Sequence, residues 1–235
     1  MQTAPLQVSQ TQAQVRVNSF IRSVYNWMAG GLAITGFLAY YVAHSSFAAV
    51  LKNSPGLLLV LIIAELAMVF SLAARVQKMK ASTATSLFVG YAALNGVTLS
   101  GIFHVYTDSA ITSTFFICAA TFLACSVYGM TTKRDLTSVG GFMTMGLIGI
   151  IIASLVNMFF NIQGLSVIIS YIGVIVFIGL TAYDTQKLKH MALSQPANVS
   201  SGVVRKGAIM GALALYLDFI NLFLFLLRIF GGGRD

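Results

Sequence analysis

Apolar residues in this chain gather in blocks of about twenty, the length a helix needs to cross a bilayer. The blocks fall at residues 24–43, 57–75, 84–104, 112–131, 139–160, 166–186 and 207–230, with short polar breaks between them. This pattern predicts an all-α membrane protein with seven transmembrane helices. The polar, low-complexity stretch MQTAPLQVSQTQAQ reads as part of a disordered cytoplasmic leader over residues 1–22. It lacks the basic start and apolar core of a cleavable signal. Residues 23–231 form a single seven-helix transmembrane domain, and residues 232–235 a short C-terminal tail. The first block, WMAGGLAITGFLAYYVA, is short and glycine-rich, and either crosses at a tilt or dips into one leaflet.

Composition agrees with the blocks. Of the 235 residues 57% are hydrophobic and 9% charged, and the mean hydropathy is +0.86. No residue between Asp135 and Asp184 carries a formal charge. A water-soluble fold could not cover so much apolar surface, so the bilayer itself is the first partner implied.

The net charge of +8 adds topology. Of the 14 Lys and Arg residues, all but Lys52, Arg228 and Arg234 fall in the N-terminal leader or in every second loop. The positive-inside rule then puts the N-terminus in the cytoplasm and, after seven spans, the C-terminus outside. No basic face remains for nucleic acid once topology is accounted for.

Against this background the acidic residues stand out, because the chain has only six. Asp184, Asp218 and Glu65 lie within apolar blocks, where an isolated carboxylate is expensive, and each is a functional candidate on that ground. Asp218 shares a helical face with Gly207, Gly211, Ala214, Asn221 and Phe225. Gly207 and Gly211 make a GxxxG that lets helices approach closely, with Asn221 available for a bond across the crossing. Asp184 shares a face with Gly173, Phe177 and Thr181, and Lys187 follows one turn later. Near a helix end, Asp184 can also be a simple anchor that reaches interfacial water or pairs with Lys187.

Two carboxyls meeting in a low-dielectric site share a proton and titrate as a pair. Deprotonated, they repel one another and attract a hard cation such as Ca²⁺. By helical rise Asp218 lies about 10 Å deeper than Asp184, so their meeting requires offset helix ends. Arg75, at the end of the block holding Glu65, either snorkels to the interface or turns inward to neutralise an aspartate. Cys118 and Cys125, about 10 Å apart along one helix, cannot form a disulfide with each other. His44, His104 and His190 have no second ligand nearby, and no P-loop, dinucleotide fingerprint or serine elbow occurs.

The segments YIGVIVFIGLTAYDTQKLK and GALALYLDFINLFLFLLRIFG, with the TTKRDL loop and NSFIRSVYNWMAGGL, resemble the transmembrane Bax inhibitor motif family in its bacterial inner-membrane branch. The resemblance covers nearly the whole chain after the leader. It implies six helices wrapped around a central seventh, and a pH-sensitive calcium leak gated by an aspartate pair at Asp184 and Asp218. It also implies an acid in the second span, matched by Glu65, and an arginine latch for which Arg75 is the nearest candidate. Ca²⁺ is then the transported ion rather than a cofactor. A second implied role is binding a membrane-anchored ATP-dependent protease through the leader. Tyr183-Asp184 and Asp218 are also similar to the presenilin-type intramembrane aspartyl proteases. There a Gly-x-Gly precedes the second aspartate, whereas Leu215-Tyr216-Leu217 stand here, and the Pro-Ala-Leu element is absent. The chain is therefore not expected to be an enzyme.

Overall fold

The computed structural model describes the backbone of residues 4–196 and 200–232, with side chains from residue 14 onward. Residues 1–3 of the expected leader and 233–235 of the expected tail lie outside the described residues. The described chain contains nine helical segments and no strand: α1 Ala4–Ala43, α2 Phe47–Asn53, α3 Pro55–Arg75, α4 Ala81–Leu99, α5 Ile102–Val105, α6 Asp108–Thr131, α7 Thr137–Phe160, α8 Leu165–Ser194 and α9 Ser201–Phe230. Six of the helices, with α5 counted as the end of α4, are long and apolar enough to cross a membrane. The bent pair formed by Gln14–Ala43 and Phe47–Asn53, which meet at 85°, raises the number to seven. The glycine-rich first block is thus the one whose crossing depends on a break.

Proline placement shows why the helices start and stop where they do. Pro5 and Pro55 sit in the first turns of α1 and α3, where a missing N–H leaves nothing unbonded, and Pro196 follows the end of α8. Thr107 caps α6 by accepting the Ala110 N–H at 3.2 Å, with Asp108 in the first turn. Asn161 ends α7 in the left-handed region at φ 45°, a conformation open to Asn at modest strain.

The chain packs as two compact units, Met1–Ile102 with Leu188–Tyr216, and Phe103–Lys187 with Leu217–Asp235. In the first, α1 turns a regular stripe inward: Val17, Phe20, Val24, Met28, Gly31, Thr35, Ala39 and Val42 are all buried. The packed structure therefore begins at Val17, inside the stretch expected as a disordered leader, which is helical from Ala4. The correction has a simple cause, since Val17 and Phe20 continue the apolar stripe of the first span by one further turn. Glycines bring the helices of this unit together. Gly96 of α4 lies against the Thr35 backbone, and Gly31 against the rings of Phe88 and Tyr216.

In the second unit the core is aromatic. Phe219 of α9 packs edge-on to Phe115 and Phe122 of α6 at 5.6 and 5.5 Å between ring centres. Phe225 lies 5.9 Å from Phe177 of α8 and fills the space that Gly173 leaves open. All three of these residues are positions grouped above with the two aspartates, so the expected faces of the last two spans meet here. The last helix is also the most enclosed of the spans, with 67% of its apolar window buried, against 6% for α3. Elsewhere large apolar side chains point outward, as with Phe37, Phe116, Phe142 and Phe159. Such a surface is stable only against lipid.

The two glycines of the GxxxG differ. A methyl group at Gly211 would collide with Leu188 and crowd Val24, whereas one at Gly207 would only touch Phe20. Gly211→Val should therefore lower stability by about 1–3 kcal/mol, the usual cost of overpacking. Gly207→Ala should be close to neutral when the two are compared by thermal unfolding of the detergent-solubilised full chain.

Candidate functional site

Both aspartates belong to the second unit. Asp184 is half-buried, one residue after Tyr183, and the turn carrying it is held on two sides. Gly129 of α6 sits directly on the Ala182 carbonyl, and Gly140 of α7 on the Tyr183 ring, leaving no room for a side chain at either glycine. Asp218 is 5% exposed on α9. Its electrostatic neighbour is Asp184, while Asp184 also feels Lys187 one turn along α8. The two carboxyls therefore lie close enough to feel one another's charge, with no hydrogen bond joining them among the described residues.

The surroundings of Asp218 sharpen the picture. Its Oδ2 is buried with no hydrogen-bond donor among the described residues. A buried acceptor without a donor is costly, and a carboxylate more so than a neutral carboxyl. Lys187, whose ammonium lies 5.8 Å from the Tyr183 ring centre, is exposed and supplies charge from the rim only.

Gln186 completes this end of α8, and composition gave no hint of it. Its Oε1 accepts the Leu136 N–H at 2.9 Å and its Nε2 donates to the Arg134 carbonyl at 2.8 Å. One side chain thereby satisfies both backbone groups of the TTKRDL loop and pins it to the helix turn that carries Asp184. A Gln two residues after an Asp at a span end is the signal, legible only once the loop is known to fold back.

Glu65 occupies a different polar cluster, in the first unit. Thr98 Oγ1 donates to Glu65 Oε1 at 2.7 Å, and Asn95 Nδ2 reaches Oε2 at 3.5 Å. The Tyr216 hydroxyl lies 3.1 Å from Asn95 Oδ1 and 2.6 Å from Thr35 Oγ1, which is 2.8 Å from the Ala92 carbonyl, so the two hydroxyl protons are shared among three contacts. The chain of contacts links α3, α4, α9 and α1. Tyr216 and Thr35 were not singled out by the sequence, because neither is anomalous in an apolar span until its partner is seen.

The remaining candidates are quieter. Asn221 donates to the Leu217 carbonyl at 2.8 Å, inside its own helix, so its amide is not spent on a bond across a crossing. Arg75 is exposed at the end of α3, as a side chain reaching for the interface would be. Among the described residues no group of three or more His, Cys, Asp or Glu side chains gathers to hold a metal.

Six or seven apolar helices long enough to span a bilayer, with Glu65, Asp184 and Asp218 among them, define a multi-pass α-helical membrane protein with ionisable groups inside its spans. The sequence matches the family described as inhibitor of apoptosis-promoting Bax1 over residues 17–235, and the chain belongs to that Bax inhibitor family. It is 49% identical to inner membrane protein YbhL of Escherichia coli (strain K12) over 235 residues, covering 100% of both chains. It is also 45% identical to a protein of Deinococcus radiodurans over 97% of each chain, and 44% identical to one of Rickettsia prowazekii over 92% of this chain and 90% of the relative.

Gln186→Leu should free the loop without disturbing the helix. The buried Leu136 N–H then loses its acceptor, at about 1–3 kcal/mol. Hydrogen exchange on the full chain should speed up at residues 132–137 while the middle of α6 keeps its protection.

Proposed function

We propose that the protein is a pH-sensitive cation leak of the inner membrane that passes Ca²⁺ and is gated by Asp184 and Asp218. The observation that carries this reading is the buried, donor-less oxygen of Asp218 with a second carboxyl as its electrostatic neighbour. Two carboxyls so placed hold a proton between them at low pH. When the proton leaves, they repel one another and become an oxygen site for a hard cation. Ca²⁺ takes six to eight oxygen ligands as a rule, and two carboxyls fall short of that number. A site that attracts the ion and cannot retain it suits passage better than storage. The location follows the name of the Escherichia coli relative, and the distribution of Lys and Arg supports a cytoplasmic N-terminus.

Glu65 has a lesser part in this scheme. Both of its oxygens are engaged by Thr98 and Asn95, so it positions helices and is a poorer cation ligand than the aspartates. Arg75, facing outward, is assigned no latch.

In liposomes, wild-type protein should pass Ca²⁺ with a pH dependence no steeper than about tenfold per pH unit, the limit for a single proton. Asp184→Asn and Asp218→Asn should each flatten that dependence. Dye-reported flux that keeps the wild-type pH profile in both variants would sink the mechanism.

A further inference from the structure

The first unit has a second polar feature that the aspartate pair does not use. At the basic end of its helices a cavity of about 570 Å³ opens where α1 passes the end of α8 and the start of α9. Its wall includes Arg16, Phe20, Ser23, Trp27, Gln195 and Arg205. That volume is within the range of small-molecule sites.

The charges are what make it informative. No acidic residue lines the cavity, although two arginines do. Arg205 is fixed in place: its Nε donates to Thr85 Oγ1 at 3.2 Å, and its guanidinium lies 5.6 Å from the Trp27 ring centre. The remaining guanidinium N–H groups of Arg205 have no acceptor among the described residues, and neither have those of Arg16. A planar fork of donors held by stacking matches the oxygens of a phosphate better than it matches a single-point anion. Phe20, buried, and Trp27, half-buried, share the wall with the arginines, Ser23 and Gln195, and Trp is a side chain that settles at headgroup level.

We propose that this cavity binds the headgroup of an anionic phospholipid. Arg16 and Arg205 hold the phosphate, and Phe20 and Trp27 take the glycerol and the first carbons of the chains. Phe20 and Trp27 decide in favour of a lipid, because a free phosphate or an acidic peptide would leave them uncovered. Bound lipid would tie the start of α1 to the α8 and α9 ends, and charge on the membrane would then favour that arrangement. The proposal is independent of the leak and stands or falls without it.

The test is lipid retention by the full-length protein, read by native mass spectrometry as phosphatidylglycerol or phosphatidylcholine is titrated into detergent. The wild type should retain phosphatidylglycerol at least fivefold more tightly than phosphatidylcholine. R16Q combined with R205Q should remove that preference, lowering phosphatidylglycerol retention at least fivefold and phosphatidylcholine retention by less. R205K, which keeps the charge and loses the fork, should fall between. Both arginines are exposed, and R16Q alone, expected to halve the preference or more, covers the case in which the double variant fails to fold. Three results would overturn the proposal. One is equal retention of the two lipids. Another is an equal loss in K133Q combined with R134Q, which would mean unspecific surface charge. The third is displacement of the lipid by millimolar inorganic phosphate or glycerol 3-phosphate, which would make the cavity a soluble-anion site.

Discussion

A carboxyl group surrounded by apolar helices must be given a proton, a donor or a cation, because hydrocarbon offers none of them. Asp218 imposes that constraint on this fold. It lies on the most enclosed helix, with Phe219 beside it wedged between Phe115 and Phe122 and Phe225 set against Phe177. Aromatic packing on this scale keeps water from the carboxyl, and a second acid in the same unit adds to the cost of its charged form. The glycines at 129 and 140 let the Asp184 turn approach α6 and α7 closely, through the Ala182 carbonyl and the Tyr183 ring.

The two buried polar clusters follow opposite rules. Around Glu65 the groups satisfy one another: Thr98, Asn95, Tyr216, Thr35 and the Ala92 carbonyl form a continuous chain of donors and acceptors. A network of this kind stiffens the helices that contribute to it. Around Asp218 one oxygen is left bare. Placed two residues apart on α9, Tyr216 and Asp218 thus divide the work of one helix, the first fixing its position and the second holding a capacity to respond.

Apolar blocks made the helices legible, and their ends lie within a few residues of the blocks except where polar turns extend them. Those extensions, residues 187–194 of α8 and 201–206 of α9, carry charges that hydropathy alone assigns to loops. The polar, low-complexity composition of the first residues hides the apolar stripe that begins at Val17. The aspartates were visible as anomalies in hydrocarbon, and the faces bearing Gly173, Phe177 and Phe225 followed from helical spacing. Gln186, Tyr216 and Thr35 were not visible. Their significance lies in partners 50 to 181 residues away in sequence, a separation that no local pattern reports.

The exposure of α3 has a further consequence. Only 6% of its apolar window is buried, yet Glu65 in its middle is hydrogen-bonded to Thr98 and Asn95 of α4. The same helix thus carries an outward apolar face and an inward carboxyl. One side of α3 is open while the other is tied, through that carboxyl, into the hydrogen-bonded core of the first unit.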